Sequence, residues 1–182
     1  TFEYGGILVM VDILHINDDG SVEIYEVKSS TDVKPVYLDD ASIQYYVLKG
    51  VGLDVSKCSI TMINSEYVFQ DKLEIDKLFV HIDVTDEVIM LQDDIPTHLK
   101  IFNDELEDKE NEPKKDIGED CFKPYKCDAY NHCWKIQAKI PDYSVFDIFN
   151  MGKKPLELYM QGKGVVNIED IPDDKITTQN QR

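Results

Sequence analysis

The chain has 182 residues, of which 36 are acidic and 19 basic, and its net charge is −17. This charge argues against a broad electrostatic grip on nucleic acid, but it leaves room for a local site of metal ions and a few lysines. The sequence contains no apolar run of the roughly 18–20 residues that a membrane span needs, and no secretory signal pattern. We therefore expect a cytoplasmic protein without membrane contact.

The first part of the chain predicts a long β-hairpin. Residues 7–16 and 22–28 are rich in aliphatic and β-branched residues, and they flank NDDGS, a turn sequence. A short strand at Phe2–Tyr4, turning at Gly5 and Gly6, is expected to precede it.

A helix and further strands follow the hairpin. Asp39 or Asp40 is a suitable N-cap and Gly50 a suitable C-cap, so the residues between them are expected to be helical. Residues 57–69 and 78–84 have the composition of strands. This order of elements predicts an α/β fold, with a mixed central sheet flanked by helices.

The second half of the chain changes in composition. Residues 86–108 are expected to be helical with a break near Pro96, and residues 103–120 are charged and poor in apolar side chains, as in a mobile linker. We therefore expect a core over residues 1–102, the acidic linker, and a cysteine-bearing segment with short helices over residues 121–182.

The strand at residues 22–28 carries two charges on a face that should be buried. Glu26 and Lys28 lie two residues apart and share that face with Val22 and Ile24. For a Glu-x-Lys pair alone, a surface strand is the simpler interpretation. The residues opposite this strand favour a functional site.

The hairpin register brings a second acid to the same face. If Ile16 pairs with Val22, Asp12 lies opposite Glu26, with a separation between Cβ atoms of roughly 4.5–5.5 Å. Two carboxylates so close on a half-buried face are costly unless a divalent cation lies between them, and Mg²⁺ or Mn²⁺ prefers such ligands. Lys28 would then position or activate the nucleophile and offset developing charge. A slip of one residue would move Asp12 to the other face.

Asp12, the sequence Glu26-Val27-Lys28 and a following helix with Gln44 resemble the RecB-like branch of the PD-(D/E)XK nucleases. This branch includes AddB-type and CRISPR-associated exonucleases. The resemblance implies a restriction-endonuclease-like core in which Asp12, Glu26 and the carbonyl of Val27 bind Mg²⁺ or Mn²⁺. It also implies that Lys28 is catalytic and that Gln44 supports the site.

The sequence departs from this family at two points. The family motif Q-x-x-x-Y has Leu48 in place of its tyrosine, and Tyr45 and Tyr46 are near it but out of register. The family also has an N-terminal helix that carries a histidine or an acid, and here that helix would precede Thr1. Because the chain opens without Met, we expect it to be part of a longer protein.

Three evenly spaced cysteines, Cys121, Cys127 and Cys133, form the pattern C-x5-C-x5-C. Nothing suggests export, so metal binding is expected rather than a disulfide framework. A tetrahedral zinc site or a four-cysteine cluster needs a fourth ligand. Cys58 has the sequence context of a buried core thiol, whereas His132 keeps a zinc site open. Three unligated thiols remain the alternative.

The cysteine segment, which includes Cys133-Trp134, resembles the C-terminal part of RecB-like nucleases that hold a 4Fe–4S cluster. It is most similar to a bacterial family of uncharacterised proteins in which a RecB-like nuclease precedes an RNase H-like exonuclease domain. The resemblance covers residues 5–170. It implies a 4Fe–4S cluster, with Zn²⁺ as the alternative, a fourth cysteine before Thr1, and an RNase H-like domain after this chain.

These observations predict a Mg²⁺- or Mn²⁺-dependent deoxyribonuclease. We expect an exonuclease that hydrolyses single-stranded or end-exposed DNA in repair, recombination or defence. The alternative is a catalytically inactive module that binds nucleic acid or protein and keeps the nuclease fold and a structural metal. The acidic charge, the missing tyrosine and the missing N-terminal helix favour this alternative.

Overall fold

The computed structural model describes residues 1–113, 115–148, 154–160 and 164–173. The chain divides into two units, Thr1–Asn111 and Glu112–Arg182. Within the described ranges, no helix combines the length and the apolar character that crossing a membrane requires.

The first unit begins with a small hairpin and continues into a mixed sheet. The hairpin pairs β1 (Phe2–Tyr4) with β2 (Ile7–Val9) in antiparallel orientation. The sheet consists, in spatial order, of β3 (Ile13–Ile16), β4 (Val22–Lys28), β5 (Val55–Ile63) and β6 (Phe79–Asp83). β4 and β5 are parallel, and the two outer pairs are antiparallel.

Four helices accompany this sheet in the first unit: α1 (Pro35–Gly50), α2 (Ile75–Leu78), α3 (Thr85–Met90) and α4 (Ile95–Glu107). α1 is the crossover that a parallel pair such as β4 and β5 needs. α1 packs against β4 and β5, and α3 packs against α1 and β5. The predicted α/β fold with a mixed sheet flanked by helices is confirmed at this level.

The core of the first unit lies between α1 and the sheet. Alternate residues of β4 are buried, beginning with Val22 and Ile24, and Ile60 of β5 is also fully covered. α1 contributes Val47 and Leu48, both 0% exposed. Burial of each large aliphatic side chain stabilises the fold by about 1.5–3 kcal/mol relative to exposure, and this holds α1 firmly against β4.

The predicted long first strand is wrong in its extent. Residues 7–16 form two strands, and the first of them pairs with β1 instead of extending the hairpin. Met10, between them, is 73% exposed. The predicted register is correct where β3 and β4 do pair, because Ile16 lies opposite Val22.

α1 begins earlier than predicted and ends where predicted. Pro35 occupies its first turn, where the fixed φ of proline suits a helix and its missing N–H costs no hydrogen bond. Asp39 and Asp40 therefore lie inside the helix and do not cap it. Gly50 is the last helical residue.

Later elements differ from the prediction mainly in their ends. β5 stops at Ile63 because Asn64 begins a turn, in which its Oδ1 accepts a hydrogen bond from the Glu66 N–H at 3.0 Å. The predicted helical stretch breaks at residues 91–94, before Pro96, which lies in the first turn of α4.

The segment predicted as a linker begins within the last turns of α4. α4 extends to Glu107, and Ile117 is 2% exposed. The end of α4 agrees with the predicted helical stretch over residues 86–108. Lys100 and Asp104, four residues apart, form an ion pair at 2.6 Å.

The second unit is built from short elements. Those that fall within the described residues include 3₁₀ turns (Glu119–Cys121, Val145–Asp147 and Ile168–Asp170), a π-helical turn (His132–Gln137) and the helix α5 (Lys154–Leu158). Among its described residues, one cluster of buried apolar side chains contains Ile117, Trp134 and Ile140, and another contains Val145, Leu158, Val165 and Ile171.

Candidate active site

The candidate site lies where the C-terminal end of β4 meets α1. Glu26 and Lys28 continue the alternation of β4 and point to the face that α1 covers, as predicted from the sequence. Asp40 and Gln44 are four residues apart on α1 and therefore lie on one side of that helix. These four side chains meet.

Hydrogen bonds join the four side chains into a closed ring. The Lys28 Nζ donates to Glu26 Oε1 at 2.6 Å and to Asp40 Oδ2 at 2.5 Å. The Gln44 Nε2 donates to Glu26 Oε2 at 2.6 Å and to Asp40 Oδ1 at 3.3 Å. Each carboxylate thus accepts one bond from the lysine and one from the glutamine. We call this arrangement the Glu26–Lys28–Asp40–Gln44 ring.

The two carboxylates of the ring sit in different environments. The side chain of Glu26 is 7% exposed, and that of Asp40 is 45% exposed. Burial raises the pKa of Glu26, and its hydrogen bonds from Lys28 and Gln44 offset only part of this effect. Burial acts in the same direction on Asp40, but the bonds from Lys28 and Gln44 outweigh it and lower the pKa of Asp40.

Lys28 carries a positive charge at neutral pH. Burial works against its charge, but the hydrogen bonds and ion pairs with Asp40 and Glu26 outweigh burial and raise its pKa above the ordinary 10.5. Its Nζ also lies 5.3 Å from the centre of the Tyr37 ring. Such a lysine is an electrostatic group and a hydrogen-bond donor.

Asp12 reaches the end of β4 by a contact that was not predicted. Strand pairing ends at Ile13 opposite Tyr25, so Asp12 is not paired across the hairpin from Glu26. Its side chain is exposed, and its Oδ2 accepts a hydrogen bond from the Val27 N–H at 2.9 Å. The predicted half-buried pair of facing carboxylates is therefore wrong, although Asp12 does contact the residue that follows Glu26.

Most polar atoms of this site bond to one another. In the part of the chain that the structure describes, no three His, Cys, Asp or Glu side chains converge closely enough to hold a metal ion. The Lys28 ammonium takes up the space between Glu26 and Asp40. The Gln44 Oε1 is buried and has no hydrogen-bond partner among the described groups. A buried acceptor of this kind is uncommon and is a reason to look for a ligand.

Asp40 is the residue of the ring that the sequence prediction missed. It was interpreted as a possible N-cap, whose side chain would accept a hydrogen bond from a backbone N–H of the first helical turn. The available signal was its spacing of four residues from Gln44, which places both on one side of a helix.

A tyrosine beside the ring comes from a position that the sequence did not indicate. Tyr37, in the first turn of α1, lies beside Lys28. Tyr46 packs against Tyr4 with 5.6 Å between ring centres, and Leu48 is buried in the core. The structure therefore places Tyr46 with the β1–β2 hairpin.

The four cysteines lie in two different settings. Cys58 is 0% exposed in β5, which confirms the predicted core thiol, and burial raises its pKa to about 12. Cys127 donates its backbone N–H to the Cys121 carbonyl at 2.9 Å, and Cys133 lies in the π-helical turn. The His132 Nε2 contacts Glu112 at 2.8 Å.

Comparisons of the chain with protein-family models, with curated proteins and with solved structures find no match.

Proposed function

We propose that this chain carries a metal-dependent nuclease site of the RecB-like PD-(D/E)XK type and hydrolyses phosphodiester bonds in single-stranded or end-exposed DNA. The observation that carries the proposal is the meeting of Glu26, Lys28 and Gln44 at the end of β4, with Asp12 bonded to the adjacent Val27. A restriction-endonuclease-like core is part of the proposal. An antiparallel hairpin followed by a helical crossover to a parallel strand supports it.

The donors available for a cation are all oxygen atoms. The carboxylates of Glu26 and Asp12 and the carbonyl of Val27 would hold Mg²⁺ or Mn²⁺, both of which favour such ligands. The Gln44 Oε1, buried and without a hydrogen-bond partner among the described groups, is a further oxygen acceptor on the side chain that bonds to Glu26. When bound, the ion supplies Lewis-acid activation of a phosphoryl oxygen and a water of lowered pKa.

Lys28 contributes its charge to the proposed reaction. With its pKa raised by two carboxylates, it holds its proton at neutral pH and is not a general base. An ammonium at this position stabilises negative charge as it develops on the phosphoryl oxygens. Gln44 orients Glu26 through the 2.6 Å hydrogen bond.

A specific observation favours a second candidate, a non-catalytic module that binds nucleic acid or protein. The Glu26–Lys28–Asp40–Gln44 ring balances its own charges in part and gives both carboxylates two donors without any cation. Such a ring can serve stability alone. An assay for metal-dependent DNA cleavage separates the two candidates.

Cys121, Cys127 and Cys133 are proposed to bind a 4Fe–4S cluster, or Zn²⁺ as the alternative. The backbone bond between Cys127 and Cys121 supports this by bringing two of these residues together. Anaerobically purified protein with a cluster would show visible charge-transfer absorbance, whereas a zinc protein would be colourless.

The nuclease proposal is tested with labelled single-stranded DNA and the purified protein. Cleavage is expected with Mg²⁺ or Mn²⁺ and not with a chelator. Lys28→Ala should lower kcat by about 10²–10³-fold because the developing charge loses its counter-charge. Lys34→Ala is the matched control, since Lys34 also lies near the Tyr37 ring but is exposed. Full activity in Lys28→Ala would overturn the assignment, and a wild-type protein without cleavage would favour the binding module.

A further inference from the structure

Lys28 has two anchors, and they differ in kind. Glu26 is nearly buried and belongs to the proposed metal-binding set, whereas Asp40 is half-exposed and lies on α1. The two contacts to the Lys28 Nζ are equally short, at 2.6 Å and 2.5 Å. The lysine is therefore shared between a strand and a helix.

A cation at Glu26 changes this balance. A divalent ion bound to the Glu26 carboxylate competes with Lys28 for the same oxygen atoms. The positive charge of the ion also repels the Lys28 ammonium at short range. With Glu26 as its only anchor, Lys28 would leave for solvent, where a flexible lysine gains entropy. The proposed reaction, however, needs the ammonium beside the phosphoryl group.

Asp40 can keep the lysine in place under these conditions. It is held by its own bond from the Gln44 Nε2 at 3.3 Å, and Gln44 is 4% exposed and fixed within α1. The oxygen atoms of Asp40 can therefore hold Lys28 when those of Glu26 are engaged.

We infer that Asp40 is a positioning residue that retains Lys28 at the site when Glu26 binds a divalent cation, which rests on the proposed nuclease function. Asp40 acts through Lys28 and contacts neither the DNA nor the ion in this role.

The kinetic test uses Asp40→Asn, which keeps the shape of the side chain and removes its charge. We expect kcat to fall about 10–100-fold, as for other outer partners of a metal site, with KM for DNA unchanged. Asp40→Glu should recover part of kcat, because a carboxylate is restored. Asp39→Asn is the matched control on an adjacent, exposed residue. Equal kcat in Asp40→Asn and Asp39→Asn would overturn the inference.

A second readout does not depend on activity. Ammonium protons of an ion-paired lysine exchange slowly enough to be followed by NMR of nitrogen-15-labelled lysine. In wild type the Lys28 signal should persist both without metal and with Mg²⁺. In Asp40→Asn it should persist without metal, because Glu26 still holds it, and disappear when Mg²⁺ is added.

Backbone amide shifts around Glu26 in wild type separate the possible failures. If Mg²⁺ moves these amides and the Lys28 signal in Asp40→Asn survives, the inference on Asp40 is wrong and the metal site stands. If Mg²⁺ moves none of them in wild type, the proposed metal site is wrong and the inference falls with it.

Discussion

Glu26 explains why a strand carries an acid and a base on its apolar side. Its carboxylate is nearly buried, and a buried carboxylate is tolerated only when donors satisfy it. Lys28 and Gln44 supply those donors from β4 and α1. The ring thus satisfies a buried carboxylate of the fold, and stability measurements can reveal its strength.

Lys28→Met tests the structural part of this role. The substitution leaves Glu26 buried without its charged partner and is expected to cost about 1–3 kcal/mol in the free energy of unfolding at neutral pH. Urea unfolding measures this, with Lys34→Met as the exposed control. Equal stability of the two variants would show that Glu26 does not depend on Lys28.

The pH dependence of the same measurement has a defined sign. The folded-state pKa of Lys28 lies above 10.5, so the folded protein keeps this proton when the unfolded chain has begun to lose it. The contribution of Lys28 is fully present below pH 10.5 and is lost as pH rises through the folded value. The Lys28→Met variant should therefore lose less of its free energy of unfolding than wild type as the pH rises above 10.5.

At the scale of elements, the hairpin shows what local sequence can and cannot predict. Alternating side chains gave the correct register of β3 and β4, because a slip would expose Ile24. They did not predict the break at residues 10–12, since Met10 and Val11 suit a strand as well as their neighbours do. The break accompanies the pairing of β2 with β1 and the bond from the Val27 N–H to Asp12, and the second of these contacts joins residues that are distant in sequence.

The sequence predicts that α1 forms, but it does not show which side of the helix faces β4. Pro35 gave a readable signal for its start, which the choice of Asp39 or Asp40 as the cap overlooked. Which side of α1 faces β4 is set by packing of residues such as Leu48 against the sheet. The contact between Asp40 and Lys28 follows from that packing, so sequence alone did not reveal it.

The C-terminal end of α1 packs closely against the β1–β2 hairpin, and Gly50 allows this. A Cβ added at Gly50 would overlap the ring of Tyr4. Gly50→Ala is therefore expected to displace Tyr4 and to destabilise the protein by about 1–3 kcal/mol. Hydrogen exchange should quicken at residues 2–9, because that hairpin loses its support on α1.

Gly118→Ala is the control for this substitution. A Cβ at Gly118 meets nothing within 4 Å, and its φ of −168° suits any residue. Exchange in the hairpin should therefore stay at the wild-type rate. If Gly50→Ala also left the hairpin unchanged, the packing of Tyr4 on α1 would not be the contact that holds β1 and β2.

At the scale of the whole molecule, the two units rely on different kinds of core. The first has a largely aliphatic core between a sheet and a helix, whereas the second combines a small aliphatic group with a cluster of aromatic rings around Trp134. The Trp134 ring lies 4.8 Å from that of Tyr130 and 4.6 Å from that of Phe146, centre to centre. The sequence pattern did not predict this cluster, because aromatic residues scattered along a loop-rich segment show no periodicity.

The net charge of −17 affects how a metal site must be tested. A strongly acidic surface gathers divalent cations loosely at many places, and this background is screened by salt. Cation binding at Glu26 is therefore defined as the part of the total binding that disappears when the Glu26 carboxylate is removed. A control acid on the same strand provides the reference.

The most direct measurement is Mn²⁺ binding by calorimetry in moderate salt, compared between wild type, Glu26→Gln and Glu23→Gln. Glu23 lies on β4 too, but on the opposite face, where its Oε2 accepts a hydrogen bond from Tyr25. We predict a saturable Mn²⁺ site in wild type and in Glu23→Gln that is lost in Glu26→Gln. Wild-type protein with no saturable site, or a site that survives in Glu26→Gln, would contradict the assignment of this ring to metal-dependent chemistry.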